Sequence, residues 1–395
     1  MKRGIIIPGF RFSGISAGIK PNGAKDLALI YSEDVATIAG VFTTNRIKSA
    51  PVRLDMDRVS SGKGQAIIIN SGNANACTGE RGLKDAIAMT EAVAKSLNIR
   101  HEHVYVSSTG IIGMPLPIER IKKAIPDAVR NLSPYAINDS AFAIMTTDTF
   151  PKITARRIRL GEKTGIIAGI AKGAGMICPT MATMLCFLFT DISIEHDALN
   201  TALKEAVDMS FNRLIIDNDT STNDTVLIMA NGRLNNREIT KGSIHYPRFK
   251  KALCDVTSEL SRMIAIDGEG ATKVIKVIVN GAKTGLDAER VARSIATSML
   301  VKTAIYGSDP NWGRVMAAIG YSGVDVIEER IDIYIGKCKV VENGIGTKKE
   351  RLASRILKKN DVSITVDLGL GNKGATVLTT DLTEEYVRVN SRYST

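Results

Sequence analysis

Aromatic residues are scarce in this chain of 395 residues: Phe, Tyr and Trp together make up 5%, with a single tryptophan. Stacking platforms for unpaired bases need aromatics, so their scarcity argues against a nucleic-acid partner despite a formal net charge of +11. The basic residues are also spread along the chain among acids, and the lysine doublets at 122–123, 250–251, 348–349 and 358–359 read as solvated faces. Histidine is rarer still, at four; the one close pair, His101 and His103, has no carboxylate or cysteine pattern of a metal site around it. The five cysteines (Cys77, Cys178, Cys186, Cys254 and Cys338) are odd in number and form no Cys-x-x-Cys, which disfavours a disulfide framework and a zinc site. No apolar run approaches the ~20 residues of a membrane span. The opening Met1-Lys-Arg-Gly-Ile-Ile-Ile-Pro8 is too short in apolar residues for a signal peptide, so a cytoplasmic protein is expected, with no membrane partner. No dinucleotide-binding Gly-x-Gly-x-x-Gly turn and no Gly-x-x-x-x-Gly-Lys-Ser/Thr phosphate loop is read, so no nucleotide cofactor and no metal are expected.

What the chain does have is glycine, 34 residues of it, placed where short apolar runs end. Short strands alternating with longer amphipathic segments predict α/β layers, and the length exceeds that of one ordinary core. Strands are expected at 4–12, 15–19, 26–31, 36–43, 65–69, 104–113, 184–189, 226–229, 274–279, 331–335, 362–368 and 374–379. Helices are expected at 82–97, with Leu83, Ala86, Ile87, Val93, Ala94 and Leu97 inward, and at 117–131 with an interruption at Pro126. Further helices are expected at 197–209, 246–266 and 287–303.

Polar stretches sit at the ends of several of these strands. Asn70-Ser-Gly-Asn-Ala-Asn-Ala-Cys-Thr-Gly79 is too small and polar for a core and suits a site-lining loop better than a plain turn. Thr109-Gly110 closes another strand with small residues that leave backbone N–H groups available, as an oxyanion hole requires. Asp217 to Asp224 holds three acids whose spacing fits no EF-hand; its hydroxyls and amides suit hydrogen bonding near a site or turn equally well. The centre of the chain is the run from Ala171 to Asp191. Its glycines can bend tightly, Pro179 blocks a helix, and the wholly apolar strand beginning at Met184 holds Thr183 at its head. A hydroxyl fixed rigidly there is placed as a nucleophile is; a strand-capping threonine is the alternative.

Lys172-Gly-Ala-Gly-Met-Ile-Cys-Pro-Thr-Met-Ala-Thr-Met-Leu185 resembles the self-cleavage segment of the ornithine acetyltransferase family of arginine biosynthesis, also called glutamate N-acetyltransferase or the ArgJ family. Other phrases in that family's order are Gly40-Val-Phe-Thr-Thr-Asn-Arg46, Thr146-Thr-Asp-Thr149, Asp267-Gly-Glu-Gly-Ala-Thr272 and Tyr306-Gly-Ser-Asp-Pro-Asn-Trp-Gly-Arg314. Asn218 stands where the family usually has glycine, and the chain ends Tyr393-Ser-Thr395 where Tyr-Thr-Thr or Tyr-Arg-Thr is more usual.

The resemblance implies a layered α-β-β-α sandwich of the self-cleaving, N-terminal-threonine class that includes DmpA-like enzymes, with a smaller C-terminal α/β part from roughly residue 280. It implies cleavage between Ala182 and Thr183, giving an α chain of residues 1–182 and a β chain of residues 183–395, paired as an α2β2 heterotetramer. Thr183 is then the nucleophile, Thr109 and Gly110 the oxyanion hole, and Thr146, Lys172, Glu269, Asn390 and Thr395 substrate-binding residues beside Thr183 itself. The implied reaction takes acetyl from N-acetylornithine to glutamate through an acetyl-enzyme. The family includes enzymes that also accept acetyl-CoA as co-substrate, and no motif decides between the two kinds. A self-cleaving amidohydrolase or aminopeptidase and a non-catalytic basic binding protein remain the alternatives.

Overall fold

The computed structural model describes residues 4–178 and 184–392, which form two units: residues 4–212 with 219–264, and residues 213–218 with 265–392. No helix among the described residues is long and apolar enough to cross a membrane.

The first unit is built on β1 (Phe10–Ile15), β2 (Leu27–Phe42), β3 (Lys63–Asn73), β4 (Val104–Ile111), β5 (Lys152–Leu160), β6 (Lys163–Lys172) and β7 (Leu185–Thr190). After the short β8 (Leu214–Ile215), which belongs to the second unit, β9 (Thr225–Ala230) completes it. The order across the sheet is β4-β3-β2-β9-β7-β6-β5, with β1 paired to β2. The pairs β3–β4 and β7–β9 are parallel. Every residue of β7 and β9 is buried, because both faces of the sheet are covered there; that is why neither strand alternates apolar with polar residues. At the β5 edge, exposed Arg156, Arg157 and Arg159 protect against pairing with another chain.

Helices α1 (Ala50–Val59), α2 (Gly79–Leu97), α3 (Ile118–Arg130), α4 (Ile137–Ala143), α5 (His196–Met209) and α6 (Tyr246–Ile266) accompany this sheet. Successive residues of β2 and β3 point to opposite faces and feed two cores. Leu27, Leu29 and Ile68 pack with Met89 and Val93 of α2 and Ile121 and Ile125 of α3. Ala28, Ile30 and Ile69 pack on the other side with Phe10, Phe12, Ile137 and Phe189.

In the second unit, β10 (Val274–Ala282), β11 (Asp332–Ile335), β12 (Cys338–Glu342), β13 (Ile345–Gly346), β14 (Asp361–Asp367) and β15 (Lys373–Thr380) join β8 in the order β13-β12-β11-β14-β10-β15-β8. Its helices are α7 (Gly285–Thr297), α8 (Met299–Tyr306), α9 (Trp312–Gly320), α10 (Glu350–Leu357) and α11 (Glu384–Arg392). Ala288, Val291, Ala292 and Ile295 of α7 pack into one core with Val277 and Val279 of β10 and Val377 of β15.

The α/β class expected from the sequence is the one adopted, but several elements differ from expectation. Of the strand expected at 15–19 only Ile15 is extended, as the end of β1; the chain bends after it, because the buried Asp26 carboxylate accepts the amides of Ala17 at 2.6 Å, Ile19 at 2.6 Å and Lys20 at 2.9 Å. The strands expected at 26–31 and 36–43 are the single strand β2, with an irregular register against β3 between Tyr31 and Ala36. Pro126 does not interrupt α3, whose apolar face of Ile121, Ile125 and Ala128 is buried on both sides of it. Leu83 lies outside the buried stripe of α2, which runs through Gly82, Ala86, Met89, Val93 and Ala94. The helix expected at 287–303 breaks at Ser298, whose extended backbone and side chain, accepting from the Val301 amide, begin α8. The hairpin of β5 and β6 and the helices α1, α4, α9, α10 and α11 had no counterpart among the expected elements. Contrary to expectation, the Gly-x-Gly-x-x-Gly spacing does occur once, at Gly369-Leu-Gly-Asn-Lys-Gly374. It links β14 to β15, two strands, and opens no helix whose N-terminus could receive a pyrophosphate.

Candidate active site

Parallel strands β3 and β4 bring two of the polar stretches side by side: Ser71 lies opposite Thr109, and Gly72 opposite Gly110. Gly110 has φ +132°, and a Cβ there would lie 2.4 Å from the carbonyl carbon of Gly72 and 2.6 Å from the nitrogen of Asn73. Only glycine fits such an approach. At the ends of the two strands, asparagine side chains add to the ladder. Asn70 donates to the Asn73 carbonyl at 2.9 Å and accepts from Ser108 Oγ at 2.6 Å. Asn73 donates to the carbonyls of Met114 and Pro115, at 3.1 and 3.2 Å. From the stretch following Asp217, Asn223 donates to the carbonyls of Ala74 at 2.7 Å and Ser108 at 2.8 Å. The stretch expected as a loop from Asn70 is thus strand as far as Asn73, and its asparagines, with Asn223, tie the ends of β3 and β4 together behind Thr109 and Gly110.

A buried charge cluster adjoins it. Lys172, the last residue of β6, is 2% exposed and donates to Thr109 Oγ1 at 3.3 Å. Asp148 accepts from Lys152 Nζ at 2.6 Å, from the Gly173 amide at 2.7 Å and from the Thr146 amide at 3.0 Å. Burial pushes its carboxyl up, but Lys172, Lys152 and the Thr146 amide together outweigh burial and hold its pKa at about 2. Asp224 behaves oppositely. Burial lifts it well above the usual carboxylate range, against the pull of the Met184 amide, Lys172 and the Thr43 hydroxyl. Its Oδ1 accepts the Met184 amide at 2.9 Å.

Thr146 is half-buried and, with Lys20, Asn22, Ala24, Lys25, Phe142 and Met145, lines a pocket of about 390 Å³. That volume lies near the small end of the usual range for small-molecule sites. Burial lowers the pKa of Lys20, whose ammonium donates to the Met145 carbonyl at 2.7 Å and the Lys25 carbonyl at 3.0 Å. No group of three or more His, Cys, Asp and Glu side chains among the described residues is arranged to hold a metal ion.

Thr109, Gly110, Thr146 and Lys172 thus belong to the first unit, where Lys172 touches Thr109 and Asp148 links Lys172 to the backbone of Thr146. Glu269 and Asn390 belong to the second, and the structure brings them together: Asn390 Nδ2 donates to Glu269 Oε2 at 2.9 Å. That contact depends on Gly270, with φ +67°, where a Cβ would lie 2.4 Å from the Tyr386 nitrogen of α11. Ala182, Thr183 and Thr395 lie outside the described residues. The residues that sequence reasoning missed are Asp148, Lys152, Asn223 and Asp224. Asp148 stood inside Thr146-Thr-Asp-Thr149, and Asn223 and Asp224 closed the polar stretch that begins at Asp217, where nothing local set them apart from its other residues.

Gly110→Ala is expected to push β4 away from Gly72, lowering turnover at least tenfold through misplacement of Thr109. A kinetic assay beside a melting curve checks this: the loss of rate should exceed anything attributable to the unfolded fraction.

The model of the ArgJ family matches residues 11–395. A curated relative from Geobacter sulfurreducens, arginine biosynthesis bifunctional protein ArgJ, is 48% identical over 391 residues, covering 98% of this chain and 100% of the relative. The protein of the same name from Caldanaerobacter subterraneus is 50% identical over 392 residues, covering 98% and 97%. Among solved structures, an arginine biosynthesis bifunctional protein ArgJ from Bacillus halodurans superposes with a TM-score of 0.51 at 44% identity, over 52% of this chain and 98% of that one. Matched by the family's model from residue 11 to its last residue, and by relatives about half identical along their full lengths, this chain belongs to the ArgJ family.

Proposed function

We propose that the protein moves the acetyl group of N2-acetylornithine to glutamate, after cutting itself between Ala182 and Thr183. The observation that carries this reading is the contact of Lys172 with Thr109, supported on one side by Asp148 and on the other by Asp224. It joins an oxyanion-hole candidate to the start of the cleavage segment, although the two lie far apart in sequence. The solved relative's chain corresponds to only 52% of this one, which is the size relation of one chain from a split precursor.

Self-cleavage frees the Thr183 amine, whose ordinary pKa of ~7.7–8.0 leaves a useful neutral fraction near neutral pH. That amine takes the Thr183 hydroxyl proton as Oγ attacks the acetyl carbonyl. Thr109 and Gly110 stabilise the tetrahedral oxyanion, with the Lys172 ammonium adding positive charge beside Thr109. The C–N bond then breaks, the proton passes to the departing ornithine amine, and an acetyl ester remains on Thr183. Glutamate's neutral amine attacks that ester, Thr183 recovers its proton, and N-acetylglutamate leaves. Thr146 and Lys172 hold the first substrate and then the second; Glu269 pairs with a substrate ammonium, with Asn390 and Thr395 completing its recognition. The cycle calls for neither metal nor nucleotide cofactor and is complete without acetyl-CoA as a second donor. We place the enzyme in the cytoplasm as two α and two β chains.

Initial rates at several fixed glutamate concentrations test the reading. Parallel double-reciprocal lines in N-acetylornithine are expected for acetyl transfer through a shared site. Acetate release at the same rate without glutamate would make the enzyme a hydrolase instead.

A further inference from the structure

The segment that carries the proposed cleavage bond is gripped at both ends by buried carboxyl groups. At its start Asp148 Oδ1 accepts the Gly173 amide at 2.7 Å, and at its end Asp224 Oδ1 accepts the Met184 amide at 2.9 Å. Gly173 follows the last residue of β6 and Met184 precedes the first residue of β7. Both amides therefore lie just beyond the strands, where a buried N–H must find a side-chain acceptor. Lys172 stands directly before the segment and acts electrostatically on both carboxyl groups. The ends are also tied to fixed structure: Asp148 to Lys152 of β5, and Asp224, through its own carbonyl, to the Thr43 amide after β2 at 3.0 Å.

We propose that Asp148 and Asp224 are a pair of positioning residues that clamp the two ends of segment 173–184 and so present the Ala182–Thr183 peptide for self-cleavage. This rests on the cleavage reading above. Asp224 holds the residue immediately after Thr183, so it keeps its grip on the new N-terminal chain once the bond is broken. Asp148 holds Gly173, on the upstream side of that bond. An amide side chain keeps an acceptor at either position, and at Asp148 it loses the charge that faces Lys152 and Lys172.

The test follows splitting of the full chain after cell-free synthesis, on denaturing gels, with a melting curve for each variant. Asp224→Ala should lengthen the half-time at least tenfold, the scale on which misplacement of a reacting group slows a reaction. Asp224→Asn should restore it to within about threefold, since it keeps the acceptor for Met184. At Asp148 the alanine and asparagine variants lose the same charge, so slower splitting of Asp148→Ala than of Asp148→Asn isolates the acceptor for Gly173. Wild-type splitting with Asp224→Ala just as fast would overturn the clamp alone. So would a folded Asp224→Asn as slow as the alanine variant. A wild-type chain that never splits would remove the cleavage reading itself.

Discussion

Thr183→Ala should leave the chain whole and lower acetyl transfer by roughly 10⁴-fold or more, the scale seen when the nucleophile of a covalent mechanism is removed. One substitution causes two losses. Without Oγ the Ala182–Thr183 bond has no internal nucleophile, and without cleavage the α-amine that would serve as base stays locked in an amide. Thr183→Ser keeps the hydroxyl, and should still split and still transfer, though more slowly. A denaturing gel and a coupled assay on the two variants check both halves. Thr183→Ala that splits at the wild-type rate would place the scissile bond elsewhere.

The second large effect concerns stability. Asp148→Ala removes the carboxylate 2.6 Å from the Lys152 ammonium, whose side chain is 0% exposed. Breaking a buried pair by deleting one member costs about 3–5 kcal/mol. In a protein of this size that corresponds to a fall of about 5 °C in melting temperature. The ring of Phe150, 5.0 Å from the ammonium, remains and offsets a small part of this. The same pair sets an acid limit. In the folded chain the Asp148 pKa is about 2, against an ordinary 3.8, so the folded state keeps the carboxylate charged where the unfolded chain would protonate it. Its contribution, roughly 2 kcal/mol, is complete above about pH 4 and disappears as pH falls through 2. Denaturant titrations at pH 6 and below should show the gap between wild type and Asp148→Ala narrowing through that interval. A constant gap would mean that the charge of Asp148 does not contribute.

Much of this was legible in the sequence because the informative signals were local. The apolar run after Thr183 and the tight Thr109-Gly110 ending each carry their meaning within a few residues, and β7 and β4 lie where those signals put them. Glu269 and Asn390 came from the family resemblance, and their direct hydrogen bond shows that the two phrases meet within one unit. What sequence did not disclose depends on contacts between distant segments. Asp26 turns residues 17–20 out of a strand by accepting three amides, which no periodicity encodes. Ser298 ends one helix and begins another, although the apolar pattern runs through it unbroken. Asp224 looked like one of three acids in a polar loop; its burial follows only from β9 lying between β2 and β7. Lys152 begins the edge strand β5, where a lysine is ordinarily solvated, yet it points inward to Asp148.

The measurement that tests the central claim most directly is the intact mass of the freshly purified protein under denaturing conditions, before and after brief exposure to N-acetylornithine without glutamate. The account predicts two chains that divide between Ala182 and Thr183, with one acetyl group gained by the chain beginning at Thr183 and lost again when glutamate is added. A single chain of 395 residues that never divides would contradict it, as would an acetyl group found on the upstream chain.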